Sequence, residues 1–189
     1  GELYVTPANT EEMVRLIRST GKPGIGPDLI ITNRPNDYHR DHRYTAQLVL
    51  DSVYMLTVPS MCPDTPFLRR MPVIAYWQDD FNEGGSFRPD SIIDISSVLD
   101  VKTKMTMAHE SQYFEWLPFN SMTLDSVPED YALRYKMRYE AVTNRALEIG
   151  NKVPMSNELF VEAFQISEYG RQPEESELAT LFPSSVQLD

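Results

Sequence analysis

The stretch "GPDLIITNRPNDYHRDHRYT", residues 26–45, decides how the rest of the chain is read. Pro27 enters a short apolar run, Leu29, Ile30, Ile31 and Thr32, that reads as a buried strand. Directly after it come Asn36, Asp37, Tyr38, His39, Asp41 and His42, holding two of the chain's three histidines. Then "RYTAQLVLDSVYML" sets Ala46, Val49, Val53 and Leu56 at helical spacing. Upstream, Asn9 or Thr10 is expected to cap a helix with Glu11 and Glu12 in its first turn and Gly21 past its end. Helix, strand, histidine loop, helix is the rhythm of a parallel α/β sheet. In such sheets, sites gather beyond the carboxyl ends of strands, where the histidine loop lies.

Working outward, a Pro-rich loop over 59–72 leads to a second strand, "VIAYWQD" (73–79), and "SIIDIS" (91–96) reads as a third. Ser97 is placed as the cap of a helix from about Val98 to Trp116, with Val98, Val101, Met105, Ala108 and Gln112 on its buried stripe. "PEDYALRYKMRYEAVTNRALEIG" is a long helix with Pro128 at its start and Gly150 at its end. "LFVEAFQIS" (159–167) is open to strand or helix; the alternation of Phe160, Glu162, Phe164 and Ile166 points to a strand.

Composition narrows the function classes. At 189 residues the chain is long enough to bury a core as one domain. A net charge of −11 with no Lys/Arg cluster argues against nucleic acid as a partner. No apolar run approaches the ~20 residues that span a bilayer, so no membrane span is expected. The start has neither the basic region nor the apolar stretch of a signal peptide. Cys62 is the only cysteine, which excludes an internal disulfide and a cysteine-rich zinc site. A cytoplasmic, reducing location fits that usage.

The chemistry therefore rests on the histidines. Two imidazoles at i and i+3 face one side of a first helical turn. Neutral imidazole is a common zinc ligand, and a nearby carboxylate orients a ring through its other N–H. Alternatively, one histidine binds metal while the other stabilises charge in a hydrolytic transition state. A bare H-x-x-H is a weak motif, and a polar surface loop would carry the same residues. His109, in "AHESQYFEW", reads equally as an ordinary helix residue.

These segments together resemble the LmbE/PIG-L family of zinc-dependent N-acetylglucosaminyl deacetylases. "GPDLIITNRPNDYHRDHRYT" is similar to that family's strand and H-x-D-H segment. "DIS" (94–96), Asp100, Lys102 or Lys104 and "AHESQ" (108–112) resemble its second signature, and "VEAFQIS" its closing strand. The resemblance spans most of the chain, residues 1–189, in the right order. It implies a Rossmann-like α/β fold, a mainly parallel sheet with flanking helices, and a metal-dependent hydrolase removing an acetyl group from an N-acetylated amino sugar or its conjugate, with zinc as cofactor. By resemblance, His42 is a zinc ligand, and His39 stabilises the oxyanion or protonates the leaving amine. Asp41 orients the neighbouring histidines, Arg43 shapes the loop or meets substrate, and His109 and Gln112 support the site.

The family's first signature, H-P-D-D-E, occurs nowhere in the 189 residues. It supplies two further metal ligands and the general base. The expectation is thus of a domain lacking its N-terminal strand–helix unit, with zinc absent or weakly held and this chain alone inactive. The strand at 28–33 would then present an unpaired edge, which self-association or a terminal segment is expected to cover. The alternative is a noncatalytic sugar-binding remnant of the fold.

Overall fold

The structure, a computed structural model, describes residues 3–152, 159–183 and 185. The chain divides into two compact units: residues 1–92 with 163–185, and residues 93–162 with 186–189. Four strands form one small open sheet in the order β1-β2-β4-β3, where β1 is Leu29–Thr32, β2 Val73–Trp77, β3 Ser91–Asp94 and β4 Val161–Ile166. All four strands fall where the apolar runs place them, and helices flank the sheet.

In the first unit, α1 (Pro7–Ser19) begins earlier than sequence analysis expects. Its cap is Thr6, not Asn9 or Thr10: the Thr6 hydroxyl accepts the Asn9 N–H at 3.1 Å. Pro7 then occupies the first helical position, where its missing N–H costs nothing and its φ is already helical. That shift leaves no acidic residue in the first turn. From α1, Val14 and Ile17 meet Val49 and Val53 of α2 (Arg40–Met55), along with Ile74, Tyr76, Leu56 and Leu68, in one apolar cluster. Gly26, before β1, has φ +70° and sits where a Cβ would lie 2.6 Å from a Leu68 methyl. Only glycine fits both demands.

β1 and β2 are parallel, with Leu29 opposite Val73 and Thr32 opposite Tyr76. α2 is the crossover between them, as the helix–strand rhythm requires. The sheet is nonetheless mixed, because β4 runs antiparallel to β2, with Trp77 opposite Phe164. Strand direction leaves no mark on hydrophobic periodicity, so only the pairing reveals it. Among the described residues β1 stands at one end of the strand order, paired by β2 alone, and Ile31 is exposed. α6 (Glu175–Leu181) follows β4, and Phe182 packs its ring 5.2 Å from Phe164.

The second unit is built on α3 (Leu99–Met107), a short α4 (Leu117–Asn120) and α5 (Tyr131–Gly150). Ile95 and Leu99 pack with Val142 and Ala146 of α5. Here the expected stripe is wrong. Val98, Val101 and Met105 are exposed, Met105 by 65%, and the buried positions are Leu99, Thr103 and Met107. One residue turns a helix by about 100°, so a misplaced phase of one or two positions presents the opposite face. The helix also stops at Met107 instead of running to Trp116; a π-helical turn over Ser111–Trp116 follows. Arg134 lies 4.8 Å from the Phe114 ring and Arg138 3.7 Å from the Tyr113 ring, anchoring that turn to α5. α5 itself starts at Tyr131, after Asp130 caps it through the Leu133 N–H at 3.0 Å.

Candidate active site

The site grows from the carboxyl ends of β1 and β2. Past Thr32 the chain turns through Arg34, which is only 6% exposed. Its guanidinium grips Asp79 beyond β2 through Nε at 2.8 Å and Nη2 at 2.5 Å. It also donates to the Phe81 and Gly85 carbonyls at 2.6 and 2.9 Å. A buried, bidentate Arg–carboxylate pair is geometrically demanding, and this one locks two loops together. Asn36 adds a second tie, donating to the Glu83 carbonyl. Between these loops lies a cleft of about 840 Å³, lined by 35–38, Arg43 and 80–84. His39, Asp41 and His42 follow directly on the lining segment 35–38 and are not themselves among the cleft's lining residues.

Asp37 organises the loop. Its carboxylate, 8% exposed, accepts the His39 N–H at 2.7 Å on one oxygen and lies 3.1 Å from His42 Nδ1 on the other. The first contact is an Asx turn, in which a side chain bonds the backbone two residues on. Arg43 clamps the same turn from behind, donating to the Asp37 and Tyr38 carbonyls at 2.7 Å each. Its place in shaping the loop is thus through the backbone.

His39 caps α2 with its ring. Nδ1 accepts the Asp41 N–H at 3.2 Å, in the position usually taken by a Ser or Asp oxygen. An acceptor Nδ1 bears no proton, so the neutral His39 ring carries its hydrogen on Nε2. His42 is the reverse: beside a carboxylate, Nδ1 donates, and Nε2 keeps its lone pair. The two rings lie 4.7 Å apart, tilted by 36°. Tyr38 stands nearly perpendicular to both, at 5.9 and 6.4 Å, and 5.6 Å from Phe81. One ring is therefore set as a donor and its neighbour as a ligand or base.

The carboxylate that orients a histidine is Asp37, not Asp41. Asp41 sits one residue from His42 and two from His39, spacings that do not face each other on a helix. Its carboxylate contacts Arg40 at 3.4 Å, and its backbone N–H does the capping. The Asp two residues ahead of a capping histidine is the signal that identifies Asp37. The Arg34–Asp79 pair has no local signal, because its partners are 45 residues apart. His109 and Gln112 belong to the second unit, where both are exposed, and the His109 ring meets Tyr113 edge-on at 6.4 Å.

Nearby, at the end of β2, the Tyr76 hydroxyl bonds Ser167 at 2.8 Å. Burial holds its pKa above the ordinary tyrosine value, and the Ser167 bond pulls the other way.

His42, backed by Asp37, is the donor type that zinc takes in proteins. Among the described residues no three His, Cys, Asp or Glu side chains converge as a metal cage. The donors present fit one position of a tetrahedral site, not the three that a catalytic zinc uses. Also among the described residues, no helix is long and apolar enough to cross a membrane.

No protein-family model and no curated protein sequence matches the chain. Solved structures do share its fold. An N,N'-diacetylchitobiose deacetylase from Pyrococcus horikoshii is 18% identical with a TM-score of 0.58, covering 96% of this chain and 57% of its own. A 4-carboxy-2-hydroxymuconate hydratase, GalB, from Pseudomonas putida is 15% identical with a TM-score of 0.56, covering 91% and 62%. A conserved protein from Thermus thermophilus is 15% identical with a TM-score of 0.59, covering 91% and 63%. The chain spans less than two thirds of the length of each. At these identities the likeness shows a shared α/β fold, a small open sheet flanked by helices, used by one deacetylase and one hydratase.

Proposed function

We propose that the histidine loop belongs to a metal-dependent amide hydrolase of the LmbE/PIG-L kind, which removes the acetyl group from an N-acetylated amino sugar or its conjugate. The opposite tautomers of His39 and His42 carry this reading. His42 offers an Nε2 lone pair to zinc, with Asp37 holding its ring. His39 directs an Nε2–H toward the oxygen that becomes negative when water adds to the amide carbonyl. Arg43 keeps the two rings in place by fixing the Asp37–Tyr38 turn. His109 and Gln112 enter by resemblance alone.

Zinc, when bound, would polarise the amide carbonyl and lower the pKa of its water. Its remaining ligands and the general base are assigned by resemblance to the H-P-D-D-E signature, which these 189 residues do not contain. The absence of a three-donor cage among the described residues favours a second reading, a sugar-binding domain without activity.

Zinc titration and acetate release from N,N'-diacetylchitobiose distinguish the two. Under the hydrolase reading, the 189 residues alone bind zinc weakly and release no acetate. The same chain joined at its start to a segment that carries H-P-D-D-E binds zinc stoichiometrically and releases acetate, and His42→Ala abolishes both. Sugar binding without acetate release in the extended chain supports the second reading. A tight zinc site in the unextended chain held by both histidines overturns the assigned roles.

A further inference from the structure

The histidine pair and the cleft at 35–38 and 80–84 are joined by one aromatic side chain, Tyr38. It lines the cleft, and its ring stands 5.9 Å from the His39 imidazole, 6.4 Å from that of His42 and 5.6 Å from Phe81 on the facing loop. The backbone that carries it is held at several points. Arg43 Nη1 donates to the Asp37 and Tyr38 carbonyls, the Asp37 carboxylate accepts the His39 N–H, and Asn36 ties the loop to the Glu83 carbonyl. Despite these ties, Tyr38 is 73% exposed. Single exposed aromatics are common on protein surfaces. This one differs in lining a cleft of about 840 Å³, within the range of roughly 300–1,000 Å³ usual for ligand sites, and in meeting both imidazoles. A ring fixed in position yet open to solvent offers a flat apolar face, on which the C–H face of a pyranose packs well. In the same lining, Asn82 and Glu83 supply an amide and a carboxylate of the kind that bond sugar hydroxyls.

Building on the hydrolase reading, we propose that Tyr38 is the residue on which the substrate sits. The pyranose that bears the acetyl group lies against the Tyr38 ring, its acetamido group alongside His39 and His42, and the adjoining sugar or aglycone runs into the cleft toward Asn82 and Glu83. One side chain thereby orders the substrate along the site, with the scissile amide at the histidine end and the rest of the molecule at the 80–84 end. The cleft beyond Tyr38 is filled only by a molecule longer than one sugar. The substrate class is thus a saccharide of two or more units, or a glycoside of comparable length, in preference to a free N-acetylated monosaccharide.

The test is binding, read without turnover and without zinc, so that it stands apart from the catalytic roles of the histidines. Backbone amide NMR titrations of the chain with N,N'-diacetylchitobiose and with N-acetylglucosamine give both affinities. Expected are shifts concentrated in 35–43 and 80–84, with the disaccharide bound at least about tenfold tighter than the monosaccharide. The C–H protons of one pyranose ring should move upfield on binding, because they lie over an aromatic face. Tyr38→Ala should abolish that upfield shift and weaken the disaccharide by about tenfold, while Tyr38→Phe retains both. Amide spectra of each variant report whether it is folded, and a tyrosine that only supported the loop would leave the sugar protons unshifted. Disaccharide bound without the upfield shift, or with affinity unchanged in Tyr38→Ala, overturns the proposal. So does equal affinity for the monosaccharide, or a lack of measurable binding by either sugar. The hydrolase reading fails separately, on acetate release by the chain joined to H-P-D-D-E. Release with a KM unchanged in Tyr38→Ala keeps that reading and discards this placement of the substrate.

Discussion

Arg18, in the last turn of α1, is 1% exposed and has no carboxylate partner among the described residues. Its charge is met by backbone carbonyls instead. Nε donates to Leu56 O at 3.1 Å, Nη1 to Met61 O and Cys62 O at 2.5 and 3.1 Å, and Nη2 to Met55 O and Val58 O at 2.9 Å each. The Thr65 carbonyl adds a longer contact at 3.4 Å. All five guanidinium N–H groups are thus satisfied. The Met55 and Leu56 carbonyls stand at the end of α2, where the helix dipole is negative, and each also accepts a backbone N–H, from Val58 at 3.2 Å and Leu68 at 2.9 Å. The others belong to the Pro-rich loop after α2, so one side chain folds that loop onto the helix. Arg18→Met keeps the apolar stem and removes the guanidinium bonds, although the Met55, Leu56, Val58 and Cys62 carbonyls each keep a backbone N–H donor. Each charge-assisted bond is worth ~1.5–3 kcal/mol, and losses within one network do not add. Losing the network should therefore cost about 1.5–3 kcal/mol, a sizeable share of the ~5–15 kcal/mol that holds a domain together. With a urea m-value of about 2 kcal/mol/M, the midpoint should fall by about 0.75–1.5 M. The chain has two tryptophans, Trp77 in the first unit and Trp116 in the second. In a Trp116→Phe background, fluorescence therefore reports the first unit alone. Arg18→Lys, with three donors on one nitrogen, should lie between the two. A midpoint shift below about 0.5 M at unchanged slope would refute the view that Arg18 organises this loop.

At a pH where both rings are neutral, long-range proton–nitrogen NMR should find His39 protonated on Nε2 and His42 on Nδ1; Asp37→Asn should erode the His42 preference, and identical tautomers in the native chain would dismiss the division of roles. Asp79→Ala strands the Arg34 charge and should cost about 3 kcal/mol or more, with faster amide exchange over 79–85. Asp100 is held below its ordinary pKa by its bonds to Lys104 and then to Tyr135. Such a carboxylate stabilises the fold above its unfolded value near 3.8, and the contribution is lost as pH falls through the lower folded value. Asp100→Asn should flatten the acid limb of the second unit's stability, seen by Trp116 fluorescence in a Trp77→Phe background. In the same variant Tyr135, raised to about 12 chiefly by its bond to Asp100, should titrate closer to 10, which ultraviolet absorbance follows directly.

The elements legible in the sequence are those whose signal is local. Leu29–Thr32, Val73–Trp77 and Val161–Ile166 are short apolar or alternating runs, and an apolar run in a chain of this composition has to be buried. α2 and its histidines are equally plain, because a 3.6-residue stripe and an i, i+3 pair depend only on neighbours in the chain. α3 shows where local pattern fails. Val98, Val101 and Met105 make as regular a stripe as Leu99, Thr103 and Met107, and only the position of α5 decides which is covered. The antiparallel entry of β4 is likewise a matter of partner choice, since both directions bury the same residues.

Within the site, the sequence determined which residue types are gathered between 34 and 43; tertiary structure decided what each one does. Asp41 lies closer in sequence to both histidines, yet Asp37 holds the His42 ring, because the turn before α2 folds back and the first helical turn points Asp41 elsewhere. Arg34 and Asp79 are ordinary as letters, and they become the tie that opens the cleft only because β1 and β2 lie side by side in parallel register. A proton on one ring nitrogen or the other is set by what stands 3.1 or 3.2 Å away, and that distance is a property of the folded chain.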